Sequence, residues 1–108
     1  MTQIISSSFI LVWLNDNQLT GSLPTQIGLM SSVEEVYLYN NKLVGQIPTE
    51  IRNWKNIQGL FIDSNKLSGT LPDVFHNLTQ LELLYANDNL FTGEIPSSIW
   101  NADSLDVL

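Results

Sequence analysis

The sequence predicts an α/β solenoid of stacked 24-residue units, each contributing one short strand to a parallel sheet. The first observation is a set of asparagines that recur every 24 residues, at Asn17, Asn41, Asn65 and Asn89. The second is a glycine four residues after each asparagine, at Gly21, Gly45, Gly69 and Gly93. The third is a proline three residues after each glycine, at Pro24, Pro48, Pro72 and Pro96. Self-similarity at a fixed period of this length is the signature of a repeat architecture.

The period divides the chain into four full repeats, at residues 9–32, 33–56, 57–80 and 81–104, with a partial fifth repeat from residue 105. We interpret residues 1–108 as a single domain. Seven further columns are apolar in every repeat, at eight, five and three residues before the asparagine and at two, six, ten and thirteen after it. Because one repeat cannot cover its own apolar face, stacking of neighbours must form the core.

Each repeat has the pattern of a strand followed by a short helical return. The apolar positions five and three before each asparagine alternate with outward positions, which predicts strands centred on residues 12–14, 36–38, 60–62 and 84–86. The glycine permits a backbone angle that other residues avoid. The proline lacks a donor and suits the start of the return segment, where we expect more 3₁₀-helix than α-helix.

The repeated asparagines predict a structural ladder. A buried amide donates and accepts hydrogen bonds, so it can satisfy backbone groups where the chain turns off the strand. We expect Asn17, Asn41, Asn65 and Asn89 to lie inside, stacked on one another.

The motif VEEVYLYNNKLVGQIPTEI, at residues 33–51, resembles the plant-type leucine-rich repeat. The match covers residues 9–108, and the segment from glycine to proline is specific to that subclass. It is similar to the ectodomains of receptor-like kinases and receptor-like proteins and to cell-wall enzyme inhibitors. The resemblance implies a right-handed horseshoe with the parallel sheet on its concave side and a ligand held there or on the flank.

The chain lacks the cysteine-bearing caps of that family, so we expect it to be part of a larger receptor-like or inhibitor-like protein. Uncapped ends leave apolar surface and a strand edge uncovered. We therefore expect self-association through the ends, and faster amide exchange there than in residues 33–80.

The candidate ligand-binding surface consists of the outward positions of the four strands. An aromatic residue stands four before each asparagine, at Trp13, Tyr37, Phe61 and Tyr85. The bordering candidates are Asn15, Tyr39, Asp63, Asn87 and Glu35. Exposed aromatic rows with polar borders are typical of protein and carbohydrate interfaces. The alternative is that aromatics suit strands and were copied by repeat duplication.

Two further positions have a functional and an ordinary interpretation. Asn77-Leu78-Thr79 is an N-glycosylation sequon on the return segment, so Asn77 is a candidate glycosylation site if the chain is secreted; chance occurrence is the alternative. His76 is the only histidine, and we interpret it as a solvated surface residue.

The composition argues against several functions. The formal charge is −7, which disfavours nucleic acid and favours basic or neutral partners. With no cysteine and one histidine, the sequence offers no metal site, and no catalytic constellation or phosphate loop is present. We expect no enzyme activity and no cofactor. No apolar run is long enough to span a bilayer, and we assign the apolar residues 9–14 to the first repeat and not to a signal peptide.

The expected function is therefore non-catalytic recognition of a protein, peptide or carbohydrate on the concave face or flank. An extracellular or cell-surface location is favoured by the family resemblance. An intracellular scaffold of the same fold, and a run of repeats without a binding site of its own, remain as alternatives.

Overall fold

The computed structural model describes residues 8–100 and the strand at residues 106–107. The strands are β1 (Leu11–Trp13), β2 (Glu35–Tyr37), β3 (Val44–Gly45), β4 (Gly59–Phe61), β5 (Lys66–Gly69), β6 (Leu83–Tyr85), β7 (Leu90–Phe91) and β8 (Asp106–Val107). The return segments are three 3₁₀-helices, Thr25–Leu29, Thr49–Asn53 and Phe75–Asn77, and one α-helix, α1 (Ser97–Trp100). The predicted fold, a solenoid of parallel strands with mainly 3₁₀ returns, is confirmed.

One strand from each repeat joins a five-stranded parallel sheet in the order β1-β2-β4-β6-β8, which we call the concave sheet. The first four strands pair in the 24-residue register, as in Val12 opposite Val36. Each of these strands begins and ends one residue earlier than predicted. The pairing nevertheless continues past the strand end, because the Leu14 N–H donates to the Tyr37 carbonyl at 2.9 Å.

The fifth strand departs from the period. Leu84 pairs with Val107, one position earlier than a 24-residue repeat requires. The predicted start of the fifth repeat at residue 105 lies outside the described residues. So do the predicted core position Ala102 and residues 1–7.

A second parallel sheet, β3-β5-β7, lies on the flank and was not predicted from the sequence. Its strands begin soon after the ladder asparagines, where the chain turns off the strands of the concave sheet. Gly45 and Gly69, with φ of 79° and 72°, belong to these strands, so the predicted left-handed glycines occur within a sheet. A β-carbon on Gly69 would lie 2.6 Å from the Gln46 Cγ, so neighbouring repeats also approach closely here.

The core runs through the middle of the stack and consists mainly of the predicted apolar columns. Val33, Leu43, Ile57, Leu67 and Leu84 are completely buried. Four apolar side chains of the first repeat are only partly buried, because no described repeat packs against their outer side: Phe9, Val12, Leu14 and Leu19.

Two positions differ from the predicted core. Ile95 is 48% exposed although its column is inward in the first two repeats. Val74, in a column that is polar in the other repeats, is buried. The third return segment explains Val74, because its 3₁₀-helix begins only at Phe75, later after the proline than the first two begin.

Candidate recognition surface

The asparagine ladder sets the position of the concave sheet. Asn41 and Asn65 are buried. The Asn41 side-chain amide donates to two carbonyls of its own repeat, Leu38 at 3.0 Å and Tyr39 at 3.3 Å. It also donates to the Leu14 carbonyl of the preceding repeat at 2.9 Å, and its oxygen accepts from the Leu19 N–H at 3.1 Å. One side chain therefore ties two strand ends together, and Asn65 makes the equivalent set.

The ladder does not include all four asparagines equally. Asn89 makes the same four hydrogen bonds but is only half-buried. Asn17 is exposed, so the prediction that all four lie inside is wrong for this residue. Its amide donates only to Leu14 and Asn15, because no described repeat precedes it to supply the other partners.

The outward positions of the four strands form one aromatic column, which consists of Trp13, Tyr37, Phe61 and Tyr85. The in-register pairing puts these residues side by side on adjacent strands. The ring centroids of Tyr37 and Phe61 are 4.7 Å apart with planes at 6°, which is a stacked pair. Trp13 lies 5.9 Å from Tyr37 in a tilted arrangement, and Tyr85 lies edge-on to Phe61 at 5.2 Å. The column is continuous across the sheet.

The two central rings lean toward the amino-terminal ends of the strands. The Tyr37 hydroxyl donates to the Glu35 carboxylate at 2.7 Å, and this hydrogen bond raises the pKa of Tyr37. A β-carbon on Gly59 would lie 2.8 Å from the Phe61 ring, so the ring covers the space that a side chain would fill. Glu35 and Gly59 occupy paired positions on β2 and β4. The glycine therefore makes room for the stacked pair.

The carboxyl-terminal border of the column consists of Asn15, Tyr39, Asp63 and Asn87, which follow each other from strand to strand. Backbone hydrogen bonds continue through this row, as from the Asn40 N–H to the Asp63 carbonyl at 3.2 Å. Tyr39 also contacts Tyr37 edge-on, with centroids 6.5 Å apart. The structure therefore brings the nine candidate ligand-binding residues proposed from the sequence onto one face.

Just beyond this border the chain turns through the left-handed region, which the sequence analysis missed. The described non-glycine residues with positive φ are Asp16, Asn40, Ser64 and Asp88, all between 56° and 57°. Asn and Asp adopt this conformation more readily than other side chains, so the three acid or amide residues were an available signal. In the second and third repeats this turn directs the next residue, the ladder asparagine Asn41 or Asn65, into the core.

The carboxylates at this border differ in environment. Burial raises the pKa of Asp63, and the nearby charge of Asp88 adds to the effect. Asp16 accepts hydrogen bonds from Asn40 at 2.7 Å and Asn15 at 2.8 Å, and these lower its pKa. Asp16 therefore accepts from two side-chain amides, whereas Asp63 has only the partial compensation of a hydrogen bond from its own backbone amide.

The charge of the concave strands has one sign. The segments 10–16, 34–40, 58–64 and 82–88 contain no lysine or arginine. They contain six acidic residues: Asp16, Glu34, Glu35, Asp63, Glu82 and Asp88. The sheet therefore presents apolar rings along its middle and negative charge on both sides.

Asn77, the candidate glycosylation site, is exposed at the end of the third 3₁₀-helix. This helix lies on the opposite side of the core from the aromatic column, so a glycan there would leave the concave sheet open. His76, beside it, is also exposed.

A polar contact that was not predicted from the sequence joins the third and fourth return segments. The Asp73 carboxylate accepts from the Ser98 N–H at 3.2 Å, while the buried Ser98 hydroxyl oxygen accepts from the Phe75 N–H at 3.2 Å. Hydrogen bonds from Ser98 lower the pKa of Asp73. The contact holds the third and fourth return segments together.

The stacked strands, the ladder and the open sheet define a repeat solenoid whose free surface is suited to recognition. A leucine-rich repeat family model matches residues 31–91, which is more than half of the chain. The protein therefore belongs to the leucine-rich repeat family. No curated protein sequence matches the chain significantly.

Solved structures that resemble the chain include ectodomains of plant receptor kinases. In the crystal structure of PEPR1-AtPEP1 the similarity extends over 94% of this chain and 14% of that one, with 33% identity and a TM-score of 0.91. The Arabidopsis receptor kinase HAESA, in complex with the peptide hormone IDA and the co-receptor SERK1, matches 94% of this chain and 17% of its own, with 34% identity and a TM-score of 0.87.

A bacterial protein shows that the likeness is not confined to plants. A leucine-rich repeat protein of Leptospira interrogans is 38% identical over 89% of this chain and 24% of its own, with a TM-score of 0.73. The chain thus spans less than a quarter of each of these three structures. Repeat modules of this kind are generally non-catalytic. None of the described helices is long and apolar enough to cross a membrane.

Proposed function

We propose that this protein is a non-catalytic recognition module that holds an extended peptide, or an extended segment of a protein, on its concave sheet. The observation that carries the proposal is the continuous aromatic column, which has no covering element among the described residues. Trp13 is 71% exposed, and the other three rings are partly accessible. Aromatic side chains supply large contact areas at low entropic cost, which is why they dominate interface energies.

The ring geometry favours a peptide over a carbohydrate. Sugars stack on open aromatic faces, but Tyr37 and Phe61 each present one face to the other. Trp13 and Tyr85 pack on the outer sides of this pair. A ligand therefore meets the edges of the two central rings, which suit apolar side chains and carbonyl oxygens better than a sugar ring.

The structural relatives support the same class of ligand. HAESA is in complex with a peptide hormone and a co-receptor protein. By analogy, this chain would serve as part of a larger receptor-like or inhibitor-like protein outside the cell. In that setting Asn77 would carry a glycan on the side away from the ligand.

The test begins with selection of binders from a random peptide library displayed on phage, with the immobilised protein as bait. The affinity of the enriched peptides, called library peptides below, is then measured by calorimetry for wild type and for the double variant Tyr37→Ser/Phe61→Ser. If the column is the binding surface, the double variant should lose about 2 kcal/mol or more, the usual threshold for interface hot spots.

A control is Leu29→Ser, which removes an exposed apolar side chain from the first 3₁₀-helix, away from the column. We expect this variant to bind library peptides as wild type does. If the aromatic column is only a packing device, the double variant should lose stability in urea melts and keep its affinity. That result, or a failure to enrich any peptide, would contradict the proposal.

A further inference from the structure

The chemistry of the ligand can be specified further, on the basis of the proposed function, from the surroundings of Asp63. This residue is half-buried, with Tyr39 beside it on the strand before and Asn87 beside it on the strand after. The backbone ladder holds the three in line, because Asn40 donates to the Asp63 carbonyl and Ser64 donates to the Asn87 carbonyl. Phe61, two residues earlier on the same strand, points to the same face.

Asp63 differs from four of the five other carboxylates of the concave strand segments in its hydrogen bonds. The fifth, Glu82, also accepts none from a side chain of the described residues, but it is exposed, whereas Asp63 is half-buried. Glu35 accepts from Tyr37, and Glu34 accepts from Gln58. Asp88 accepts from Asn87, and Asp16 from two amides. No other side chain of the part of the chain described by the structure donates to Asp63. Its charge is partly removed from water, is offset only in part by a hydrogen bond from its own backbone amide, and lies near a second negative charge on Asp88.

The chain does not supply a counter-ion at this place. Its four cations, Lys42, Arg52, Lys55 and Lys66, all lie outside the concave strand segments. Lys66 begins β5 on the flank, and Arg52 belongs to the second 3₁₀-helix. A positive charge at Asp63 must therefore come from a partner.

We propose that the Asp63 carboxylate, with Tyr39 beside it on the preceding strand, is the binding site for a lysine or arginine side chain of the peptide held along the aromatic column, which we call the cation site. The methylene stem of such a side chain packs along an aromatic ring while its charged head reaches the carboxylate. The ring adds an attraction for the cation itself. The ligand class is thus an extended peptide with at least one basic residue next to apolar ones.

The proposal predicts the composition of the library peptides and the effect of one isosteric substitution. Peptides enriched on wild type should contain lysine or arginine more often than the starting library. The variant Asp63→Asn keeps the size of the side chain, and no hydrogen bond from another side chain is lost. It should weaken binding of the basic peptides on the order of tenfold, as expected for removal of one partner of a partly desolvated charge pair.

Two controls distinguish specific binding at the cation site from a general attraction of basic peptides to a protein of charge −7. Glu50→Gln changes the net charge by the same amount in the second 3₁₀-helix, and it should change the affinity less than twofold, since charges far from the ligand are screened. Twin peptides with glutamine in place of the basic residue should bind wild type and Asp63→Asn equally.

The outcomes also distinguish the two proposals. One contrary outcome is that the library peptides require Tyr37 and Phe61 but are not enriched in basic residues. Another is that their binding is insensitive to Asp63→Asn. Either outcome would contradict the cation site but leave the proposed recognition surface intact. An equal loss in Glu50→Gln and Asp63→Asn would likewise overturn it, because the attraction would then be unspecific. Peptides that bind independently of the aromatic column and of Asp63 would overturn both.

Discussion

The two sides of the strands use their polar and aromatic residues in different ways. Toward the core and the return segments, each such group has a defined structural partner. The Trp54 ring N–H, for example, donates to the Ile27 carbonyl at 2.7 Å, and no buried side-chain polar atom of the described residues lacks a partner. On the outward side, Trp13 is largely in water and Asp63 has no compensating cation. The comparison teaches that the fold depends on the inward residues, whereas it leaves the outward rows available for binding.

The largest expected effect is a loss of stability on substitution in the asparagine ladder. Asn65→Ala should destabilise the protein by about 1–3 kcal/mol, because it leaves buried carbonyl and amide groups without partners. Asn17→Ala is the matched control, since Asn17 is exposed and makes only two hydrogen bonds with described residues, both local. Urea unfolding of the two variants measures the contrast. Equal losses would show that burial between repeats does not set the strength of the ladder.

Alanine substitutions of two glycines should separate stability from binding. Gly69→Ala places a β-carbon against Gln46 at a φ of 72°, so we expect a loss of about 1–2 kcal/mol. Gly59→Ala meets only the Phe61 ring, which can rotate away from Tyr37. It should therefore cost less stability but weaken library-peptide binding. Unchanged affinity in Gly59→Ala would mean that the stacked pair is not part of the site.

A smaller effect, in this case a gain in stability, is expected from a substitution at the left-handed turn. Ser64 adopts a φ of 56°, where the equivalent residues of the other repeats are Asp or Asn. Ser64→Asn should stabilise the protein by about 0.5–1 kcal/mol, because Asn tolerates this conformation better. The reverse change, Asn40→Ser, should destabilise it and also removes the hydrogen bond to Asp16. A thermal or urea melt of both variants tests the pair, and a destabilised Ser64→Asn would contradict the explanation.

The smallest effect is a pH dependence at Asp63. Burial, with a contribution from Asp88, raises the pKa of Asp63 above its ordinary value. The folded protein then binds this proton more tightly than the unfolded chain, so the contribution of Asp63 to stability falls as pH rises through the two pKa values. Asp63→Asn should remove that dependence. Melting temperatures of wild type and variant should therefore differ more at neutral than at acidic pH. A difference that grows toward acid would reverse the assigned direction.

The sequence predicted those features that depend on one repeat and its period. The strand pairing of Val12 with Val36, the left-handed Gly45 and the outward Tyr37 each follow from a local pattern and the 24-residue spacing. Features that depend on which neighbour is present were not predictable in this way. Asn17 has the same sequence context as Asn65 but is exposed, because no described repeat covers it.

The structural features that were not predicted leave weaker patterns in the sequence than the 24-residue period does. The flank sheet uses only two to four residues per strand, as in Val44–Gly45, which is too short for an alternating pattern. The contact between Asp73 and Ser98 joins two repeats through residues that occur once each in their columns. The stacked geometry of Tyr37 and Phe61 depends on the absence of a side chain at Gly59, which the aromatic column alone does not reveal.

The central claim is that ligands bind along the aromatic column, and an NMR titration with a library peptide tests it most directly. Amide shifts of ¹⁵N-labelled protein should change mainly in residues 11–15, 35–39, 59–63 and 83–87, with the largest changes around Tyr37, Phe61 and Asp63. Residues of the 3₁₀-helices and of β3, β5 and β7 should change little. Changes concentrated in the flank sheet or the return segments, with the concave strands unaffected, would contradict the account.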